Sequence, residues 1–263
     1  MIAPRPPDTS PETSYSVREE VDTFFCPGGT LEQACRNAQF PFEHRPPQRV
    51  MAGAVADAVE LKRHLAVEAG TGVGKSFAYL VPLILRAVKE QIQVVISTYT
   101  ISLQEQLMYK DIPFLQKHLG VEFKAALVKG RGNYLCLRRL ARTRRMEADL
   151  FKPDQTLEID RIQHWAQTAQ DGSLQEMDEQ PSSDVWSAIC VEHGNCLWQK
   201  CPEYAPCFFM RARAEMADAH VLIVNHHLLF SDLALRAAGG VKCMPSTRWR
   251  PSPSTRPTHC PTA

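Results

Sequence analysis

Two groups of residues in this sequence combine type and spacing in ways that do chemistry. The first is Ala69-Gly-Thr-Gly-Val-Gly-Lys-Ser76. Glycines at 70, 72 and 74 let a loop curl until successive backbone N–H groups point inward, where phosphate oxygens can accept from them. A helix opening at the end of such a loop adds the positive end of its dipole. Gly70, Thr71, Gly72, Val73 and Gly74 would form the cradle, Lys75 would reach the β and γ phosphates, and Ser76 would hold Mg²⁺. Ala69 stands where glycine is commonest, and the fit survives that change. A turn that merely joins a strand to a helix is the bland alternative, and the apolar run before the loop and the helix after it argue against it. The motif alone does not separate a kinase from a GTPase or a motor.

The second group is Cys196-Leu-Trp-Gln-Lys-Cys201-Pro-Glu-Tyr-Ala-Pro-Cys207, with Cys136 sixty residues upstream. Four thiolates satisfy either a cubane iron–sulfur cluster or a tetrahedral zinc ion. Zinc sites usually pair cysteines in short knuckles on both sides, whereas here one thiol is solitary and three are clustered, which favours the cluster. Cys190 could replace one of the four, and His193 could serve zinc. Scattered core cysteines are the alternative, a poor one for three thiols so close together beside Pro202 and Pro206. Nine cysteines with no export signal speak against a disulfide framework. Cys26, Cys35, Cys243 and Cys260 have no partner at ligand spacing and take no role.

The elements around these groups alternate. Pro46-Pro47 starts a helix through Leu61, where Val50, Met51, Ala54, Val55, Ala58 and Val59 recur at helical spacing. Leu65 to Val67 reads as a short strand into the glycine loop, and an apolar helix follows to about Lys89, with Pro82 expected to kink it. Ile92 to Ser97, Ala125 to Val128 and Val221 to Val224 read as further strands. The fold class predicted is α/β: a P-loop (RecA-like) parallel sheet with helices on both faces and an inserted, mainly helical subdomain carrying the cysteines. The predicted divisions are a disordered lead-in over 1–23, a first motor domain over 24–130 and 218–240, the insertion over 131–217, and an aberrant tail over 241–263.

Composition is that of a globular protein, with 44% hydrophobic and 22% charged residues. The longest apolar helical candidate, Phe77 to Val88, falls well short of the roughly 20 residues a bilayer requires. No membrane partner and a cytoplasmic location are the default expectations. A net charge of +1 is uninformative about nucleic acid, but six arginines lie between Arg131 and Arg145. On charge alone that run is a solvated helix face.

Several strings together resemble the DinG/XPD-like iron–sulfur helicases of superfamily two, over roughly residues 24 to 236. His44-Arg-Pro-Pro-Gln48 is similar to that family's adenine-reading segment, which implies Gln48, helped by Arg45, as contacts to the base. Glu68 to Ser76 resembles its first helicase motif. Ile96 to Leu107 resembles the next, with Thr98, Thr100 and Gln104 along the DNA strand. Cys136, Cys196, Cys201 and Cys207 match the family's four cluster ligands. Val224 to Asp232 resembles the strand and turn after the insertion, so Asn225, His226 and His227 are assigned structural roles rather than metal ligation. The resemblance implies ATP, Mg²⁺ and a 4Fe-4S cluster as cofactors. It also implies a monomer that moves 5′ to 3′ on single-stranded or forked DNA, with the arginine run lining a phosphate path.

Hydrolysis in such motors needs carboxylates for Mg²⁺ and the attacking water, plus an arginine from a second motor domain. The sequence contains no Asp-Glu-Ala-His box, so nucleotide and DNA binding without unwinding is expected of it, as of a truncated helicase. Residues 241–263 are a Pro, Ser, Thr and Arg mixture that reads as disordered. Ser254 to Thr258 encoded as TCG-ACG-AGG-CCC-ACN would, in the frame one nucleotide earlier, spell Asp-Glu-Ala-His, which predicts a slipped reading frame after Gly240. Two rivals stay open: a non-helicase P-loop ATPase with structural zinc, and a non-enzymatic nucleic-acid-binding fragment.

Overall fold

The computed structural model describes residues 16–145 and 152–239. The tail after 240, and with it the frame-slip expectation, lies outside the described residues, as do residues 1–15. The described residues divide into two compact units, one of residues 16–92 with Asp111–Glu122, the other of Gln93–Lys110, 123–145 and 152–239.

The first unit is helical. Helix α1 (Val17–Phe25) opens with a reciprocal cap, Ser16 and Glu19 each bonding the other's backbone, and buries Val17, Val21, Phe24 and Phe25 on one face. Helices α2 (Thr30–Asn37), α3 (Pro46–Glu60), α4 (Lys75–Lys89) and α6 (Ile112–His118) complete it. Pro46 and Pro47 occupy the first turn of α3, where their missing N–H groups cost nothing. Helix α3 packs along α4 and α1. Arg18 bridges Asp22 and Asp57 while Arg49 also reaches Asp22. Burial works against the Asp22 carboxylate, but these two guanidinium groups outweigh it and hold its pKa below the usual range.

Two expectations need correction here. The lead-in predicted over 1–23 gives way to helix from Val17, because the apolar positions 17, 21, 24 and 25 form a helical stripe that the polar composition around them masks. The strand predicted at Leu65 to Val67 does not form: the segment has no sheet partner and lies exposed. Three apolar residues flanked by Arg63, His64 and Glu68 do not hold an extended backbone without a neighbouring ladder. Pro82 sits inside α4, which runs through it unbroken to Lys89.

The second unit holds a parallel sheet of β1 (Val94–Thr98), β2 (Ala125–Leu127) and β3 (Val221–Asn225), in the order β1-β3-β2. Val94 and Ala125 both register with Val221 on the central strand. Four of its five residues are buried, as a strand covered on both faces requires. Helices α5 (Ile101–Gln106), α10 (Phe208–Asp218) and α11 (His226–Ala237) pack against it, and the whole fits a RecA-like α/β fold. The buried Gln93 carboxamide donates to the carbonyls of Met216 and Ala219, both at 2.8 Å, tying the start of β1 to the end of α10.

The segment between β2 and β3 has a hydrophobic core of its own. Helices α7 (Leu137–Arg145), α8 (Pro153–Ala166) and α9 (Ser183–Ile189) bring Leu140, Ile159, Ile162, Val185 and Ile189 together with Leu135 and Phe208. Trp186 closes it with an indole N–H bond to the Gly132 carbonyl at 2.8 Å. A separate cluster under the sheet contains Ala126, Val128, Met216, Leu222 and Val224. Helix α10 contributes to both, Phe208 and Phe209 to the first and Met216 to the second. Among the described residues no helix is long and apolar enough to cross a membrane.

Candidate nucleotide and thiolate sites

The glycine loop ends where α4 begins, with Gly74 as the residue before the helix at φ +84° and Gly72 at φ +81°. Both values lie in the left-handed region that a side chain disfavours, so the curl expected of a phosphate cradle is built into these two positions. Lys75 folds back on the loop, its Nζ donating to the carbonyls of Ala69 at 3.0 Å and Gly70 at 2.7 Å. Ser76 shares a side-chain hydrogen bond with Tyr79, whose phenol burial pushes to higher pKa.

Gln48, expected to read the base, is buried near the start of α3 and donates through Nε2 to the Gly74 carbonyl at 2.9 Å. A Cβ on residue 74 would collide with that same Nε2. Gln48 and the loop are thus in direct contact. Arg45 stands just before α3 and pairs with Glu43 at 3.4 Å.

The four cysteines singled out by spacing come together. Cys136, Cys196, Cys201 and Cys207 line one small cavity with Trp198, Tyr204 and Phe209, although Cys136 lies sixty residues before the others in the chain. Burial pushes up the pKa of the Cys207 thiol, and the neighbouring Cys136 and Cys196 add to the rise, so three of the four sit within electrostatic reach. Cys190 and His193, the possible substitutes, do not line this cavity. Sulfur donors are the soft ligand type that thiophilic metals prefer. Among the described residues no three Cys, His, Asp or Glu side chains stand at the spacing that holds a single metal ion.

Part of the arginine run has a structural use. Arg139 donates to the carbonyls of Ser187, Ala188 and Cys190 and pairs with Glu192, so it braces the insertion. Arg144 pairs with Asp160.

Thr98 is buried at the end of β1, Thr100 caps α5 by accepting from the Leu103 N–H at 3.2 Å, and Gln104 is buried on α5. Asn225 caps α11 by accepting from the Leu228 N–H at 2.7 Å, and His226 Nδ1 meets Ser97 Oγ at 2.7 Å. For these two residues, placement at the end of a core strand has the structural consequence expected.

Sequence reasoning misses one polar group. Lys129, at the end of β2, donates to Asp171 at 2.7 Å and to Ser173 at 2.6 Å. Burial disfavours the Asp171 carboxylate, yet the Lys129 and Ser173 bonds prevail and its pKa falls below the usual range. Its partners lie more than forty residues apart in the chain, so no local spacing announces it.

Residues 48–169 match the DEAD/DEAH box helicase family. The chain is 40% identical over 223 residues to the ATP-dependent DNA helicase YoaA of Escherichia coli, covering 84% of this chain and 34% of that protein. It is 38% identical over 211 residues to the ATP-dependent helicase DinG of Mycobacterium tuberculosis, covering 74% of this chain and 32% of that one. With DinG of Escherichia coli the identity is 35% over 213 residues. The chain therefore spans about a third of the length of the curated relatives it matches. A glycine loop opening a helix, a parallel sheet, and a match running from the Gln48 segment into the insertion make this chain a member of the DEAD/DEAH box helicases, of the DinG-like kind.

Proposed function

We propose that this chain is the ATP-binding part of a DNA helicase that holds a 4Fe-4S cluster and moves 5′ to 3′ along single-stranded or forked DNA as a monomer. The observation that carries the reading is the convergence of Cys136 with Cys196, Cys201 and Cys207 on one cavity, in a chain that also builds the Lys75 and Ser76 phosphate loop. A P-loop alone serves many enzymes, and four thiols alone serve zinc; together, in a DEAD/DEAH sequence, they point to this helicase type.

In this reading the loop amides and Lys75 take the β and γ phosphates, and Ser76 ligates Mg²⁺. Nucleotide draws Lys75 off the Ala69 and Gly70 carbonyls it now contacts. Gln48, with Arg45, reads the adenine edge, and its bond to Gly74 couples that reading to the loop. Cys136, Cys196, Cys201 and Cys207 would hold the cluster, which would tie Cys136 to the 196–207 loop.

Anaerobic purification followed by iron, sulfide and visible-absorbance assays tests the reading. The expected result is about four irons per chain with broad visible absorbance, lost on Cys201→Ser, and ATP binding lost on Lys75→Ala. Colourless protein with stoichiometric zinc would overturn the cluster in favour of a P-loop ATPase with a structural metal.

A further inference from the structure

A second site lies in the unit that holds the sheet, outside both the phosphate loop and the thiol cavity. Beyond the carboxyl ends of the three parallel strands is a cavity of about 300 Å³. Asn225 ends β3, Leu127 and Lys129 mark the end of β2, and Gln104 follows β1 on α5. Carboxyl ends of parallel strands are where open α/β sheets bind ligands, and this volume stands at the small end of such pockets.

The wall has an uncommon chemistry. Five carboxamides line it, those of Gln104, Asn133, Gln170, Gln175 and Asn225, with the ring of Tyr109 beside them. Some of their capacity is spent locally: Gln175 donates to Asn133, Asn133 to the Gly130 carbonyl, and Asn225 accepts from Leu228. Gln104 is different. It is only 5% exposed, it lines the cavity, and among the described residues its carboxamide makes no hydrogen bond. Its amide therefore faces the cavity with its hydrogen-bonding capacity free for an occupant. An amide offers one donor face and one acceptor face, the pairing that a nucleobase edge presents.

Charge decides between a base and a phosphate. The ionisable groups of the wall are Lys129, Asp171, Glu105 and Glu176. Lys129 is already paired with Asp171, and Glu176 accepts from the backbone N–H groups of Gln170, Asp171 and Gly172. The balance is negative, which repels phosphate and tolerates a neutral heterocycle. Tyr109 is 63% exposed, so its ring face is open to stacking. Partial burial, then Asp171, Glu105 and Glu176, raise the phenol's pKa, which keeps it a neutral hydrogen-bonding group.

We propose that this cavity takes one unstacked nucleobase of the bound single strand, stacked on Tyr109 and hydrogen-bonded by Gln104, while the phosphates stay outside. The inference rests on the helicase reading for its source of single-stranded DNA. It adds that the chain grips the strand by a base as well as by its backbone, at a position where sequence tolerance comes from amides that rotate to suit either edge.

The test compares binding of an oligothymidine of about 16 nucleotides with the same strand carrying consecutive abasic residues at its centre, using the full chain purified anaerobically. Phosphate number is unchanged, so the electrostatic term cancels. Wild type should bind the abasic strand about tenfold more weakly, and Tyr109→Ala and Gln104→Leu should each bring the two strands to nearly equal affinity. Tyr109→Phe, which keeps the ring, should keep the penalty. Because Tyr109 is exposed, its substitution leaves the core intact, so a folding defect in Gln104→Leu would not remove the test. Equal binding of both strands by wild type would overturn the base pocket and leave the helicase reading standing. Absence of any single-strand binding would overturn both. Competition by free thymidine as effective as by the strand would make the site one for a small nucleoside and overturn the strand as its source.

Discussion

Position 74 carries two constraints at once. Its φ of +84° lies where a Cβ costs roughly 1–2 kcal/mol, and the space that a Cβ would fill is taken by the Gln48 carboxamide. Gly74→Ala should therefore abolish measurable ATP binding and lower the melting temperature of the helical unit. In a Gly74→Ala/Gln48→Ala double variant the collision is gone but the backbone cost remains, so thermal stability should recover in part and not in full. The two substitutions are coupled through a direct contact, and their effects should depart from additivity by more than about 0.5 kcal/mol. Additive effects in calorimetry, or full recovery in the double variant, would show that the Gln48 contact with the loop has no energetic weight. The role of Gln48 is legible in the sequence only as a resemblance. That it touches Gly74 across twenty-six residues becomes visible only when α3 and the loop are placed together.

At the scale of elements, legibility follows how local the deciding physics is. The strands at 94–98, 125–127 and 221–225 read directly, because β-branched and small apolar runs bounded by polar residues specify them without help. So does α3, started by its prolines. Leu65 to Val67 looks the same by composition, but a strand needs a partner, and none is paired with it among the described residues. Helix α1 fails in the other direction, since its stripe is short and sits in polar surroundings. The turn at Gly172 is a third case, silent in the sequence and decisive in the packing. Gly172 has φ +65°, its carbonyl accepts from the Leu135 N–H at 2.9 Å, and a Cβ there would enter the Phe208 ring. Phe208 opens α10 and is buried in the core of the insertion. Gly172→Ala should cost about 2–4 kcal/mol, from overpacking plus positive-φ strain. Phe208→Leu in the same background should return part of that loss in urea titrations. A Gly172→Ala protein as stable as wild type would mean that this turn and α10 do not pack as described.

Across the whole chain, the thiol spacing is the feature that sequence conveys best and structure extends furthest. The sequence names Cys136 with Cys196, Cys201 and Cys207, and the fold sets all four along one cavity. Cys136 precedes α7 and Cys207 precedes α10, so a cofactor joining them ties together both ends of that core. Helix α10 then continues to Met216 in the cluster beneath the sheet. If the proposed cluster is bound, removing its iron should deprotect backbone amides from Tyr134 to Phe209 in hydrogen exchange, with a graded loss along α10 toward Met216. Helices α3 and α4 belong to the other compact unit and should keep their protection. ATP affinity, which the proposed function assigns to Gln48 and the loop at 69–76, should change less than about twofold, under 0.5 kcal/mol. Uniform deprotection across both units would show a single cooperative structure held by the metal. Unchanged protection within 134–209 would show that the apolar core alone sustains the insertion, leaving the four thiols a chemical role without a structural one.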